Sequence, residues 1–365
     1  MKKNVKKQII NISFVVFLVA ITMISLLNSN KELNFDSLED FFSKCNYWYI
    51  VGAFGFFLLF VLFEALSLHV ILKKFGYKPK ISSSIAYSTS DIYYSAITPS
   101  ASGGQPASAF YMIRDGVSGG TAGFSLIFNL VGYTAALLIL GVVAFVADFN
   151  IFFEFAPFVK VLIIFGFVAQ VALLIFFILC MRKHRQVMAF SGFCVNLLHK
   201  LHLIKNKDKW LGKMGRLVVK YKSCYKDFKK NKITLFWVIL LNVIQRLSLV
   251  MVSVMVCKSV VDCNAFEVFA MQAFVVLGYN SIPLPGGIGA YEYLYLSIYG
   301  LSFSGAFIVV SMMVARVISY YLSMILCGIY TMVYHVIGSK NKKQDDEEVK
   351  KQVEEHVLLS REVEN

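Results

Sequence analysis

Long apolar runs separated by short polar stretches fill most of the chain. Six of them, 9–27, 47–72, 121–147, 158–181, 233–257 and 305–336, reach the length of a membrane span. Roughly 18 or more apolar residues with few charges mark such a span, because about 20 helical residues cross a hydrocarbon core about 30 Å thick. The last run is over-long, which predicts a tilt or a bend near Gly328. Two further segments, 81–113 and 265–302, are apolar but interrupted. Their leading arms, 85–97 and 266–277, are too apolar for free loops and too short to span.

The interruptions are Thr98-Pro99-Ser100-Ala101-Ser102-Gly103-Gly104-Gln105-Pro106 and Pro283-Leu284-Pro285-Gly286-Gly287-Ile288-Gly289-Ala290-Tyr291-Glu292, which hold four of the six prolines. Proline removes a backbone donor and glycine admits positive backbone angles, so each reads as helix, tight turn, helix. Lipid cannot satisfy the freed N–H and C=O groups, so a break at membrane depth must be buried in protein or line a wet cavity. The alternative is a pair of ordinary extramembrane loops on short helices. The hairpin reading gives an all-α integral membrane protein with about six spanning helices and two re-entrant helical hairpins.

Composition supports the membrane class: 58% of residues are hydrophobic and 16% charged, against about 25% charged in soluble domains. The formal charge of +14 is concentrated in one segment, 182–232, with 15 Lys and Arg against Asp208 and Asp227. Such a distribution describes a membrane-side loop and gives no nucleic-acid surface. Positive charge also gathers before residue 9 and over 73–80, while loops 28–46, 148–155 and 258–267 are net acidic, which places both termini in the cytoplasm. The amino-terminal run is too long for a signal peptide and no small-x-small site follows Leu27, so it reads as a retained helix.

With that orientation the hairpins enter from opposite sides, and span, hairpin, span recurs with reversed polarity. The chain divides into 1–46 (first span and external loop), 47–181 (first repeat), 182–232 (basic cytoplasmic linker), 233–336 (second repeat) and 337–365 (charged cytoplasmic tail). Interrupted segments at matching places in an inverted repeat point to a transporter's binding site. Within the linker, 187–204 has the apolar spacing of a helix lying on the leaflet. The seven cysteines lack CxxC spacing, and no metal site, disulfide framework or cofactor is expected.

Candidate chemistry is sparse. Ser84, Ser88, Asp91, Ser95 and Thr98 form one polar stripe at helical spacing. Gly103 and Gly104 offer backbone amides at a helix start near Gln105, a common holder of phosphate. Ionisable residues inside the spans are few: Glu64, His69, Arg246 and Arg316, with Glu292 at the mouth of the second hairpin. Each charge near the bilayer centre costs about 2.5–3.5 kcal/mol on insertion scales, so such groups face the protein interior. Glu292 neutralising Arg316 or Arg246, with a lipid phosphate taking its place, is one arrangement; a permanent ion pair is the other. The expected substrate-binding set is Asp91, Thr98, Gly103, Gly104, Gln105, Arg246, Pro285, Gly286, Gly287, Glu292 and Arg316. Glycines 116, 119, 120 and 123 read as helix packing. P-loop, GxSxG, HExxH and GxGxxG signatures are missing from their required contexts.

The two interruptions, with Ala109-Phe110-Tyr111, Gly116 and Arg316, resemble the transmembrane region of lysylphosphatidylglycerol synthases, the flippase-like family of the multiple peptide resistance factor type. That resemblance covers nearly the whole chain. It implies a bacterial plasma-membrane protein moving a phospholipid, in the complete synthases aminoacylated phosphatidylglycerol, with resistance to cationic peptides as the consequence. Many relatives carry an acidic residue and an arginine where this chain has Gln105 and Ser108, and the soluble lysine-transferring domain has no counterpart in this sequence. The alternatives are a phosphatidylglycerol lysyltransferase, by family name or as the membrane part of a split enzyme with a separate lipid-modifying partner, and a non-catalytic membrane scaffold. Membrane phospholipid is the expected partner, and the sequence assigns no oligomeric state.

Overall fold

The computed structural model describes residues 35–98, 101–182, 219, 221–228, 232–282 and 284–338. Its elements, in chain order, are α1 (Phe35–Lys44), α2 (Tyr47–Lys74), α3 (Ile81–Ile97), α4 (Gly104–Arg114), α5 (Gly119–Ala147), α6 (Phe149–Glu154), α7 (Pro157–Arg182), α8 (Lys232–Lys258), α9 (Ala265–Tyr279) and α10 (Ala290–Tyr299). The last is α11, Ala306–Gly338. No strand occurs among the described residues. Helices α2, α5, α7, α8 and α11 are long and apolar enough to cross a membrane, and they coincide with five of the six expected runs. The expected span at 9–27, most of the linker and the tail lie outside the described residues.

Local chemistry explains the helix starts. Asn46 caps α2 by accepting the Trp48 N–H, Ser118 caps α5 through the Thr121 N–H, and Asn264 caps α9 through the Phe266 N–H. Each satisfies one of the donors a helix leaves open at its first turn. Helix α7 instead starts on Pro157, whose missing N–H is harmless there.

Helices α2 and α8 share the most extensive interface, and α5 packs against both. A polar pin joins the three. Ser67 Oγ donates to Asn129 Oδ1 at 2.6 Å, and Asn242 Nδ2 donates to Ser67 Oγ and Asn129 Oδ1, each at 3.1 Å. Gly132 leaves the space that Asn242 fills, since a Cβ there would meet its amide. Interhelical hydrogen bonds of this kind contribute about 0.6 kcal/mol on average in a membrane, so the pin fixes register more than it adds stability. Helix α7 is the opposite case: Val161, Ile164, Phe165, Val168, Ile175 and Phe176 are all exposed. A face that apolar suits lipid.

Both interrupted segments are helical hairpins whose arms pack side by side, α3 on α4 and α9 on α10. Helix α3 runs antiparallel to α11, which bonds to it along its length: Tyr320 to the Ala96 carbonyl, Thr331 to Thr89, and Tyr334 to Ser83. The first hairpin is therefore held by the last span, across the boundary between the sequence halves. Helix α11 departs from the expected bend at Gly328. Its irregularity is a π turn over Val317–Leu322, immediately after Arg316, while Gly328 gives close passage to the Tyr93 ring. A π turn inserts one extra residue per turn, and such turns cluster where a side chain must be aimed.

Candidate functional site

The tips of the two hairpins meet, α3 touching the turn Pro285–Gly287. Between them and the spans lies a cavity of about 500 Å³. Its wall takes Glu64 from α2, Asp91 and Ser95 from α3, Gln105 from α4, Tyr133 from α5, Gln245 and Arg246 from α8, Tyr279 from α9, Gly286 and Gly287 from the second turn, and Arg316 and Tyr320 from α11. At one edge the lining runs out to Leu173, which is 39% exposed and sits inside spanning helix α7.

The second turn is built around its glycines. Gly286, Gly287 and Gly289 have φ of 58°, 67° and 87°, a region where a side chain costs about 1–2 kcal/mol. Space is equally restricted, because a Cβ on Gly286 would enter the Tyr320 ring and one on Gly287 the Tyr279 ring. Tyr320 cannot withdraw freely, since its hydroxyl is tied to the Ala96 carbonyl at 2.9 Å. We expect Gly286→Ala to lower unfolding stability by at least about 2 kcal/mol, backbone strain adding to overpacking. Adding Tyr320→Ala should restore the steric share only. Additive losses in the double variant would refute the close approach.

Arg316 anchors this turn. Its Nε donates to Glu292 Oε1 at 3.1 Å and its Nη2 to the Gly286 carbonyl at 2.8 Å, with the guanidinium 4.1 Å from the Tyr291 ring centre. Glu292 also accepts the Gly289 N–H at 2.6 Å through Oε2, capping α10. Both side chains are buried. Of the two arginines expected as partners, Glu292 is paired with Arg316 and not with Arg246, and it stands outside the cavity lining.

Arg246 differs. Its guanidinium lies 4.0 Å from the Tyr133 ring centre and 5.1 Å from that of Phe60, contacts that hold a cation without neutralising it. Its Nε is buried and unpartnered. No carboxylate of the described residues lies within 4.0 Å of it. The cavity therefore presents one guanidinium with no ion pair.

The first turn is organised by Thr98 and Asp91. Thr98 Oγ1 donates to the Tyr94 carbonyl at 2.6 Å and accepts the Gly103 N–H at 2.9 Å, so this pair closes the turn from behind. Gly104 packs against the Asp91 carboxylate where a Cβ would sit, and Gln105 Nε2 donates to Asp91 Oδ2 at 2.6 Å. The start of α4, expected to offer amides to a phosphate, is faced by the protein's own carboxylate. Ala101 beside it holds φ of 52°, a strained angle for a residue with a Cβ. Of the expected set, Asp91, Gln105, Arg246, Gly286, Gly287 and Arg316 line the cavity, whereas Thr98, Gly103, Gly104 and Glu292 do not, and the side chain of Pro285 lies outside the described residues. The polar stripe divides: Ser88 bonds to the Val61 carbonyl and Ser84 to His69 within the α2 contact, while Asp91 and Ser95 face the cavity. Glu64, Gln245 and Tyr133 complete the wall. Glu64 and Gln245 stand out in sequence as polar groups in apolar runs, but no pattern marks Tyr133.

Residues 8–327 match the family described as the lysylphosphatidylglycerol synthase TM region. The chain belongs to this family. No curated protein gives a significant match. A lysylphosphatidylglycerol synthase TM region is a multi-pass membrane unit, and membership gives this one a lipid-related role of that synthase type. For this family member the cavity offers two guanidinium groups, two carboxyl groups and four tyrosines where spans and hairpins converge.

Proposed function

We propose that this protein moves a phospholipid between the leaflets of a bacterial plasma membrane, with aminoacylated phosphatidylglycerol or a related lipid as cargo. One observation carries the reading: a cavity holding a guanidinium with no ion pair is lined at one edge by Leu173, a part-exposed residue inside α7, which we read as an opening toward lipid. A water-soluble solute needs no opening toward lipid. A phospholipid does, because its phosphate seeks Arg246 while its chains must stay in hydrocarbon. Hairpins from opposite sides of the membrane would enclose the headgroup near the midplane, and α3, at 17 residues, falls short of the length that spans.

Proteoliposomes containing the purified chain should exchange a fluorescent anionic or aminoacylated phospholipid between leaflets faster than protein-free vesicles. Equal rates would dismiss the proposal. Family membership favours a second reading, the membrane part of a synthase. Lysyl-lipid formation from lysyl-tRNA and phosphatidylglycerol by the same preparation would support it.

The proposed orientation puts both termini in the cytoplasm. In a cysteine-free background on intact cells, a membrane-impermeant thiol reagent should label Asp262→Cys and spare Lys78→Cys, both sites being exposed. The reverse pattern would invert the topology.

A further inference from the structure

Glu64 of α2 and Asp91 of α3 line the same cavity, with their carboxyl groups within hydrogen-bond reach of each other. Both residues are more than nine-tenths buried. Two carboxylates so placed repel strongly unless something positive sits with them. Arg246 is close enough to act on both, but it is a single charge and forms no ion pair with either. The other cavity cation, Arg316, is cancelled by Glu292. With both carboxyls ionised, one negative charge is left over in this corner.

The surrounding donors are oxygen-rich. Gln245 is 1% exposed and lines the cavity; its Nε2 donates to Glu64 Oε2 at 3.0 Å while its Oε1 has no partner. On the other side, Gln105 Nε2 holds Asp91 Oδ2, and its Oε1 is likewise buried without a partner. Ser95 Oγ donates to Asp91 Oδ1 at 3.2 Å. Carboxamides are assigned by their hydrogen bonds, and turning either one over aims its oxygen at the carboxylate corner. Carboxylate and carboxamide oxygens are the ligands of hard cations.

We propose that Glu64, Asp91, Gln245 and Gln105 form a binding site for one sodium ion. The charge left over is a single one, which a monovalent ion cancels and a divalent ion would overshoot. Oxygens touching one another suit a compact ion with ligands at about 2.3–2.6 Å, the range given for a calcium-sized cation. An alkylammonium group needs the carboxylates further apart. The remaining titratable neighbours are the Cys327 thiol of α11, which faces Glu64, and the Tyr133 and Tyr320 hydroxyls, bonded to Asn280 and Ala96; none supplies the charge. With the ion bound, α2, α3, α4 and α8 are fastened to one centre, so the first hairpin is tied to the spans.

The test uses the full chain in nanodiscs, in sodium chloride against choline chloride at equal ionic strength. Sodium should raise the melting temperature saturably, and radiolabelled sodium should bind once per chain. Glu64→Gln and Asp91→Asn should each weaken that binding by about tenfold or more, the effect of losing one charge-assisted contact. Equal melting in sodium and choline overturns the site, and this comparison needs no variant to fold. So does sodium binding that persists at wild-type strength in a folded Glu64→Gln. Stabilisation by acid alone, with no response to sodium, means that the pair holds a proton and also overturns it. Binding is read without transport, so its failure is separate from failure of the translocator reading.

Discussion

Arg246→Gln should slow lipid exchange between leaflets by about 10- to 100-fold while the protein remains folded. The loss follows from removing a charge-assisted contact worth about 1.5–3 kcal/mol to a phosphate. Arg246 makes no close ion pair among the described residues, so its removal strands no bonded partner, although it takes a positive charge from the Glu64 and Asp91 corner and should lower the melting temperature without unfolding the protein. The Tyr133 and Phe60 rings keep their places, Tyr133 through its hydrogen bond to Asn280 at 2.8 Å. Arg246→Lys keeps the charge but not the planar fork that stacks and bonds in two directions, so it should fall between the two. The measurement is fluorescent-lipid exchange in proteoliposomes beside a melting curve of the same preparation. Wild-type exchange in Arg246→Gln would remove this residue from the transport path.

Glu292→Gln should do the reverse, unfolding the protein before transport can be judged. Glu292 and Arg316 are both buried, and removing one member of a buried pair leaves the other charge uncompensated, a cost of about 3–5 kcal/mol. The same substitution weakens the cap on Gly289 and loosens the hold of Arg316 on the Gly286 carbonyl, so the whole turn is affected. A large fall in melting temperature is expected, with reduced membrane abundance. Replacing both residues, as Glu292→Gln with Arg316→Gln, should cost less than the two single changes added together, because neither charge is then stranded. Normal stability in Glu292→Gln would show that the pair is dispensable and reopen a direct role in binding.

These opposite outcomes come from two arginines that look alike in the sequence. Each lies in an apolar run with polar neighbours on its helical face, and the general rule that charges in spans face inward applies to both. Only the fold shows that Arg316 has Glu292 across from it, 24 residues away, and that Arg246 is backed by aromatic rings.

Chain-local properties were legible from the residues alone. Five spans, the interruption at each hairpin and the all-helical class follow from apolar run length and from proline and glycine placement. These are decided within a few turns of backbone, because a bilayer requires each segment to satisfy its own hydrogen bonds. The recognised family follows from the same two interruptions. The tertiary structure decided which polar groups meet. Glu64 and Asp91 are 27 positions apart and Gln245 is 181 from Glu64, yet they share one corner. Thr98, on the same stripe as Asp91, turns instead to close its own loop. A side chain's partner depends on how separate helices pack and cross, and spacing along one helix carries no information about that.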